Sequence, residues 1–132
     1  MDVRALPDED IPAMIETLRK LIADPAVEIV PPPSRGRPAT PPSRLDTPMF
    51  AALEHAAQKM FPGVVTVPLM LTGATDSAQL RRKGVAAYGL GSVASDDDRS
   101  RVHGNDERLS VEGLGSFVQF LYAAVVEVAA TK

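Results

Sequence analysis

Between Pro31 and Pro48 the chain carries Pro31, Pro32, Pro33, Pro38, Pro41 and Pro42 among serines, arginines and a glycine. Proline fixes its own backbone angle, lacks an N–H, and biases the residue before it toward extended geometry. A run this dense excludes helix and central strand and favours semi-rigid polyproline geometry. The chain must therefore fold from the stretches on either side, residues 1–31 and 47–132, with 32–46 as a linker. The plain reading of the run is a spacer. The alternative is that Arg37, in Arg35-Gly36-Arg37-Pro38, brings its guanidinium into a site.

Residues 2–6 read as short and extended. Asp8 to Ala23 then has helical periodicity, with Ile11, Met14, Ile15, Leu18, Leu21 and Ile22 on one face. Asp8, Glu9 and Asp10 lie at its positive end, and Pro12 is tolerated in a first turn. Val27 to Val30 reads as a strand, so this stretch predicts a strand–helix–strand unit that needs more strands beside it. Beyond the linker, Thr47 caps a helix that opens on Pro48 and runs to about Met60, with Phe50, Leu53, Ala57 and Met60 as its expected buried stripe. Val64 to Met70 predicts an interior strand, with Pro68 marking an edge or bulge. Thr75 or Asp76 caps a short helix to Lys83, and Gly84 offers a left-handed exit. Val85 to Tyr88 predicts the next buried strand, and Gly89 to Val102 a loop with Asp96-Asp97-Asp98 as a solvated tip. The expected fold class is α/β.

Ser110 caps a last helix reaching to about Ala130. Val111, Leu114, Val118, Leu121, Val125 and Val128 form one seam, which Phe117, Phe120 and Ala124 widen. A helix apolar on so many sides wants more than one covering neighbour. The surplus predicts either a missing N-terminal segment or an oligomer such as a homodimer.

Composition narrows function by exclusion. A net charge of −3 gives no electrostatic footprint for nucleic acid. Arg81, Arg82 and Lys83 suit the negative end of a helix dipole instead. No cysteine is present, so disulfides and thiolate metal ligands are excluded. No charged leader with an apolar run opens the chain, and Phe117 to Ala130 is short for a membrane span. A soluble protein with no membrane partner is expected.

There are two histidines. His55 lies mid-helix with no second ligand at helical spacing, and reads as structural. His103 follows an irregular loop and precedes Gly104, Asn105, Asp106 and Glu107. A carboxylate there could hold the second ring nitrogen, as partners of metal-bound imidazoles do. By composition alone, a lone loop histidine is more often simply exposed, because zinc needs three or four ligands.

The segment His103-Gly104-Asn105-Asp106-Glu107, together with Gly73-Ala74-Thr75-Asp76 after the apolar Val67-Pro68-Leu69-Met70, resembles the closing part of the M20 family of zinc peptidases and amidohydrolases. The likeness is nearest to the aminoacylase and carboxypeptidase-like branch, and runs from about Phe61 to Ala130. It extends more weakly through the strand–helix–strand, which looks like part of the family's lid (dimerisation) domain. The resemblance implies that residues 1–31 are a partial lid and 47–132 the C-terminal part of a catalytic α/β domain. It implies that His103 ligates one of two zinc ions, with Glu107 close behind it. Gly73 and Ala74 would offer backbone groups to substrate, Asp76 would brace that turn or act as a plain N-cap, and Arg37 would grip a substrate carboxylate. The implied reaction cleaves a peptide or N-acyl amide bond next to a free carboxylate by zinc-activated water. Gly73–Thr75 and His103 would then face one cleft.

The family's His-x-Asp pair and adjacent glutamates are absent: neither His-x-Asp nor Glu-Glu occurs anywhere in this sequence. The expectation is a segment inactive by itself. The alternatives are a non-catalytic dimerising module derived from that fold, or a small α/β domain in which both motifs are turn chemistry.

Overall fold

A computed structural model describes residues 3–6, 8–30, 40–71, 73–91 and 94–130. Five helices lie among them: α1 (Ile11–Ile22), α2 (Pro48–Met60), α3 (Ser77–Arg82), α4 (Asp96–Ser100) and α5 (Val111–Ala130). No strand or sheet occurs among the described residues, so the α/β expectation, including the strand–helix–strand unit, is overturned. Residues 27–30, 64–70 and 85–90 run without ladder partners. The reason is physical. β-propensity reports how well a side chain fits a half-buried pleated surface, and no neighbouring strand supplies that surface here. The cost is visible in Val65, Val67 and Leu69, which are 82%, 65% and 84% exposed.

The chain divides into two compact units. The first gathers Met1–Ser43 and Met70–Ala87. Its α1 starts at Ile11 rather than at Asp8, with the Asp10 carboxylate as its cap, accepting the Ala13 N–H at 3.1 Å, and proline in the first turn. It ends at Ala23, in left-handed geometry, with Arg19 and Lys20 in the last turn. Its apolar face is only partly covered: Ile11, Met14, Ile15 and Leu18 are half-buried, while Leu21 and Ile22 are 75% and 42% exposed. Elsewhere in this unit, Ser43 accepts the Ala87 N–H at 2.9 Å and donates its hydroxyl to the Ala87 carbonyl at 2.8 Å. Arg81 Nε donates to Thr40 Oγ1 at 3.1 Å, and Gly84 takes the expected left-handed conformation after α3.

The second unit holds Arg44–Leu69 and Tyr88–Lys132 and is built on a helix pair, α2 against α5. Thr47 caps α2 by accepting the Phe50 N–H at 3.2 Å, and Pro48 opens it. The Tyr88 hydroxyl bonds both Thr47 Oγ1 and the Arg44 carbonyl, while its ring lies 5.7 Å from that of Phe50. Ser110 caps α5 by accepting the Gly113 N–H at 2.9 Å. The core is Ala52, Leu53, Ala56 and Ala124, flanked by Met49, Tyr88, Phe120, Ala123 and Val128. The buried stripe of α2 is thus shifted from the expected one. Alanines let the two backbones come close, and the larger Phe50 and Met60 remain only half-buried.

One partner helix covers one stripe of α5. Val111, Leu114 and Val118 are 89%, 47% and 57% exposed, so most of the expected seam faces solvent. At 20 residues and a mean hydropathy of 1.5, α5 is also longer than the apolar run expected from Phe117. By length and composition alone it could cross a membrane, a test that core helices of soluble proteins also pass.

Candidate functional site

The segment between Ser95 and Arg108 is organised by charge. Ser95 and Asp98 form a capping box at the start of α4: the Ser95 hydroxyl accepts the Asp98 N–H at 3.1 Å, and the Asp98 carboxylate accepts the Ser95 N–H at 3.3 Å. Asp96, Asp97 and Asp98 therefore occupy a helical first turn, where acids suit the dipole. The loop with a solvated acidic tip is replaced by a short helix. The Ser95 hydroxyl, and after it the Arg108 guanidinium, hold the Asp98 carboxyl below its ordinary value.

Two arginines close this segment. Arg101 donates from Nε and Nη2 to the Asp97 carboxylate at 3.3 and 3.2 Å, and its Nη1 pairs with Asp106. Arg108 pairs with Asp97 and, through Nε, with Asp98 at 3.2 Å. Between them the backbone turns sharply. His103 has φ of 66°, in the left-handed region that histidine visits more readily than most residues, at a cost of about 1–2 kcal/mol. The Gly104 N–H donates to the Arg101 carbonyl at 2.8 Å. A Cβ on Gly104 would lie 2.9 Å from that same oxygen, so glycine is required by the turn's own backbone.

The carboxylate of Glu107 accepts the backbone N–H of His103 at 3.3 Å, and the Glu107 N–H donates to the Gly104 carbonyl at 3.3 Å. His103 and Glu107 are thus brought together through the main chain, and both are exposed. Sequence reasoning passed over Arg101 and Arg108. The available signal was their alternation with acids from Asp96 to Asp106.

Gly73, Ala74 and Asp76 belong to the first unit, and all are exposed. Nothing crowds the place of a Cβ at Gly73. Thr75 Oγ1 accepts the Ser77 N–H at 3.3 Å, and Asp76 stands at the N-cap of α3 without a side-chain capping bond. Arg37 and Thr72 lie outside the described residues. A shallow concavity sits by the end of α1, lined by Arg19, Ala23, Asp24, Pro25 and Val27 among others, and among the described residues no candidate group lines it.

His55 is structural in kind: its Nδ1 lies 2.7 Å from Glu127 Oε1 and joins α2 to α5. The two are far apart in sequence, and no local pattern announces the pair.

No group of three or more His, Asp or Glu side chains that could hold a metal ion exists among the described residues. A zinc site needs three or four ligands. The residues present do not fit a metal centre on their own, and His103 is at most one donor to such a centre.

No curated protein and no solved structure matches the chain. The family described as Peptidase family M20/M25/M40 does match, over residues 5–127, a span that includes α1, the Gly73 turn, the His103 turn and nearly all of α5. The chain belongs to that peptidase family.

Proposed function

We propose that the chain contributes to a zinc-dependent hydrolase of the aminoacylase and carboxypeptidase-like branch, acting on a peptide or N-acyl amide bond beside a free carboxylate. Enzymes of this family are generally metal-dependent. His103 is the metal ligand this chain supplies. The observation that carries the reading is an exposed imidazole on a glycine-supported left-handed turn, within the span that matches the family. Glu107 supports the His103 backbone. Gly73, Ala74 and Arg37 serve the substrate, and Asp76 braces the Gly73 turn. The remaining ligands and the general base come from other polypeptide, because the chain has neither His-x-Asp nor Glu-Glu. By itself the chain is inactive.

Complementation tests this. The chain is mixed with a separately produced M20 segment carrying His-x-Asp and Glu-Glu, and N-acyl amino acid hydrolysis is followed with zinc present. Activity should appear only in the mixture and should vanish with His103→Ala. Hydrolysis by the chain alone, or activity indifferent to His103→Ala, defeats the reading.

The exposed Leu21 and Ile22 at the end of α1 and the exposed apolar residues of α5 favour a second reading, a dimerising module without catalysis. Sedimentation equilibrium separates the two. A tight homodimer that takes up no zinc and complements nothing supports the second.

A further inference from the structure

We propose that Arg101 is a positioning residue for His103, clasping α4 to the far side of the turn so that the left-handed backbone is held ready before any partner arrives. The proposal rests on the reading of His103 as a ligand, but its geometry stands apart from it. Arg101 takes Asp97 with two nitrogens and Asp106 with the third, so one guanidinium bridges the residues on both sides of His103. Its side chain is 30% exposed, against 67% for Arg99, whose partner Asp96 lies 3.6 Å away. Arg108 adds a second tie to Asp97 and Asp98.

Isolated surface ion pairs contribute little, but a bidentate arginine within a network of several charges is the exception. The clasp also acts where the backbone needs support, because His103 in left-handed geometry would relax if its ends were free. Arg101 serves twice: its carbonyl accepts the Gly104 N–H while its side chain fixes Asp106. A turn fixed in advance gives up less entropy when its imidazole is engaged.

The test is amide hydrogen exchange by NMR on the full chain. In Arg101→Gln, the Gly104 and His103 amides should exchange roughly tenfold faster or more, since losing the clasp frees the turn to open locally. Asp106→Asn should loosen the same amides. Arg101→Lys should recover part of the protection, Arg99→Gln should leave it unchanged, and Ala124 in α5 reports whether the helix pair stays folded. Unchanged exchange in both Arg101→Gln and Asp106→Asn overturns the proposal, as does equal acceleration in Arg99→Gln. None of these signals needs metal or activity, so the clasp can fail while complementation through His103 succeeds, or the reverse.

Discussion

Truncating Leu53 and Leu69 to alanine separates a load on the α2–α5 pair from a load on the extended segment after α2. Leu53 is 5% exposed within the alanine-lined core, and Leu69 is 84% exposed. Removing Cγ and both methyls of Leu53 forfeits about 2.4 kcal/mol, at roughly 0.8 kcal/mol per group. A cavity term adds to this, but Met49, Phe120 and Val128 are only partly buried and can move into the space. The total therefore falls near the lower end for leucine truncation, about 2.5–3 kcal/mol. For a unit of this size that lowers Tm by roughly 17–20 °C. At Leu69 little apolar area is lost, and the change should stay within about 0.5 kcal/mol.

Urea and thermal unfolding followed by circular dichroism at the helical band would measure both variants against the parent chain. A large loss at Leu53 with none at Leu69 is the expected result. Equal losses would mean that the segment from Val64 to Leu71 is packed against something in solution, and the account of an uncovered segment would be wrong.

Ala124 is fully buried, so Ala124→Leu should force α2 and α5 apart and cost about 1–3 kcal/mol, read in the same unfolding curves. Gly104→Ala places a methyl against the Arg101 carbonyl and should destabilise the turn by about 1–2 kcal/mol, comparable with other strained backbones. Trypsin should then cut at Arg101 or Arg108 roughly tenfold faster, with the helical signal unchanged. The Asp98 carboxyl is lowered from 3.8, first by the Ser95 hydroxyl and then by Arg108. Its contribution is therefore full above that value and lost as pH falls through the lower, folded one. A carboxyl carbon titration should find the Asp98 midpoint below 3.8, with α4 signals collapsing over the same window. A midpoint at or above that value would contradict the capping box.

Local chemistry was legible in the sequence where it is settled within a few residues. Thr47-Pro48, Ser110 and Gly84 each act as predicted, because a cap or a left-handed exit needs only its near neighbours. Strands could not be read in the same way. Val64–Met70 has the residues of a strand, yet a strand exists only through a partner, and none is present among the described residues. The capping box of α4 escaped notice because its reciprocal acid is Asp98 rather than the more familiar glutamate or glutamine. The α2 stripe moved to Ala52 and Ala56 because close approach of one helix rewards small residues over large ones.

The carboxylates around His103 explain why the match to a metallopeptidase family coexists with the absence of a metal cluster among the described residues. Asp97, Asp98 and Asp106 are each engaged by Arg101 or Arg108, and Glu107 accepts a backbone N–H. A carboxylate paired with guanidinium has little charge left for a cation, and leaving that pair would strand the arginine. The acids of this segment are therefore spent on geometry. What they hold in place is a turn with one exposed imidazole, and one imidazole binds metal usefully only when other groups converge on the same ion. The number of ligands, rather than the conformation of His103, is what limits any metal chemistry by the described residues.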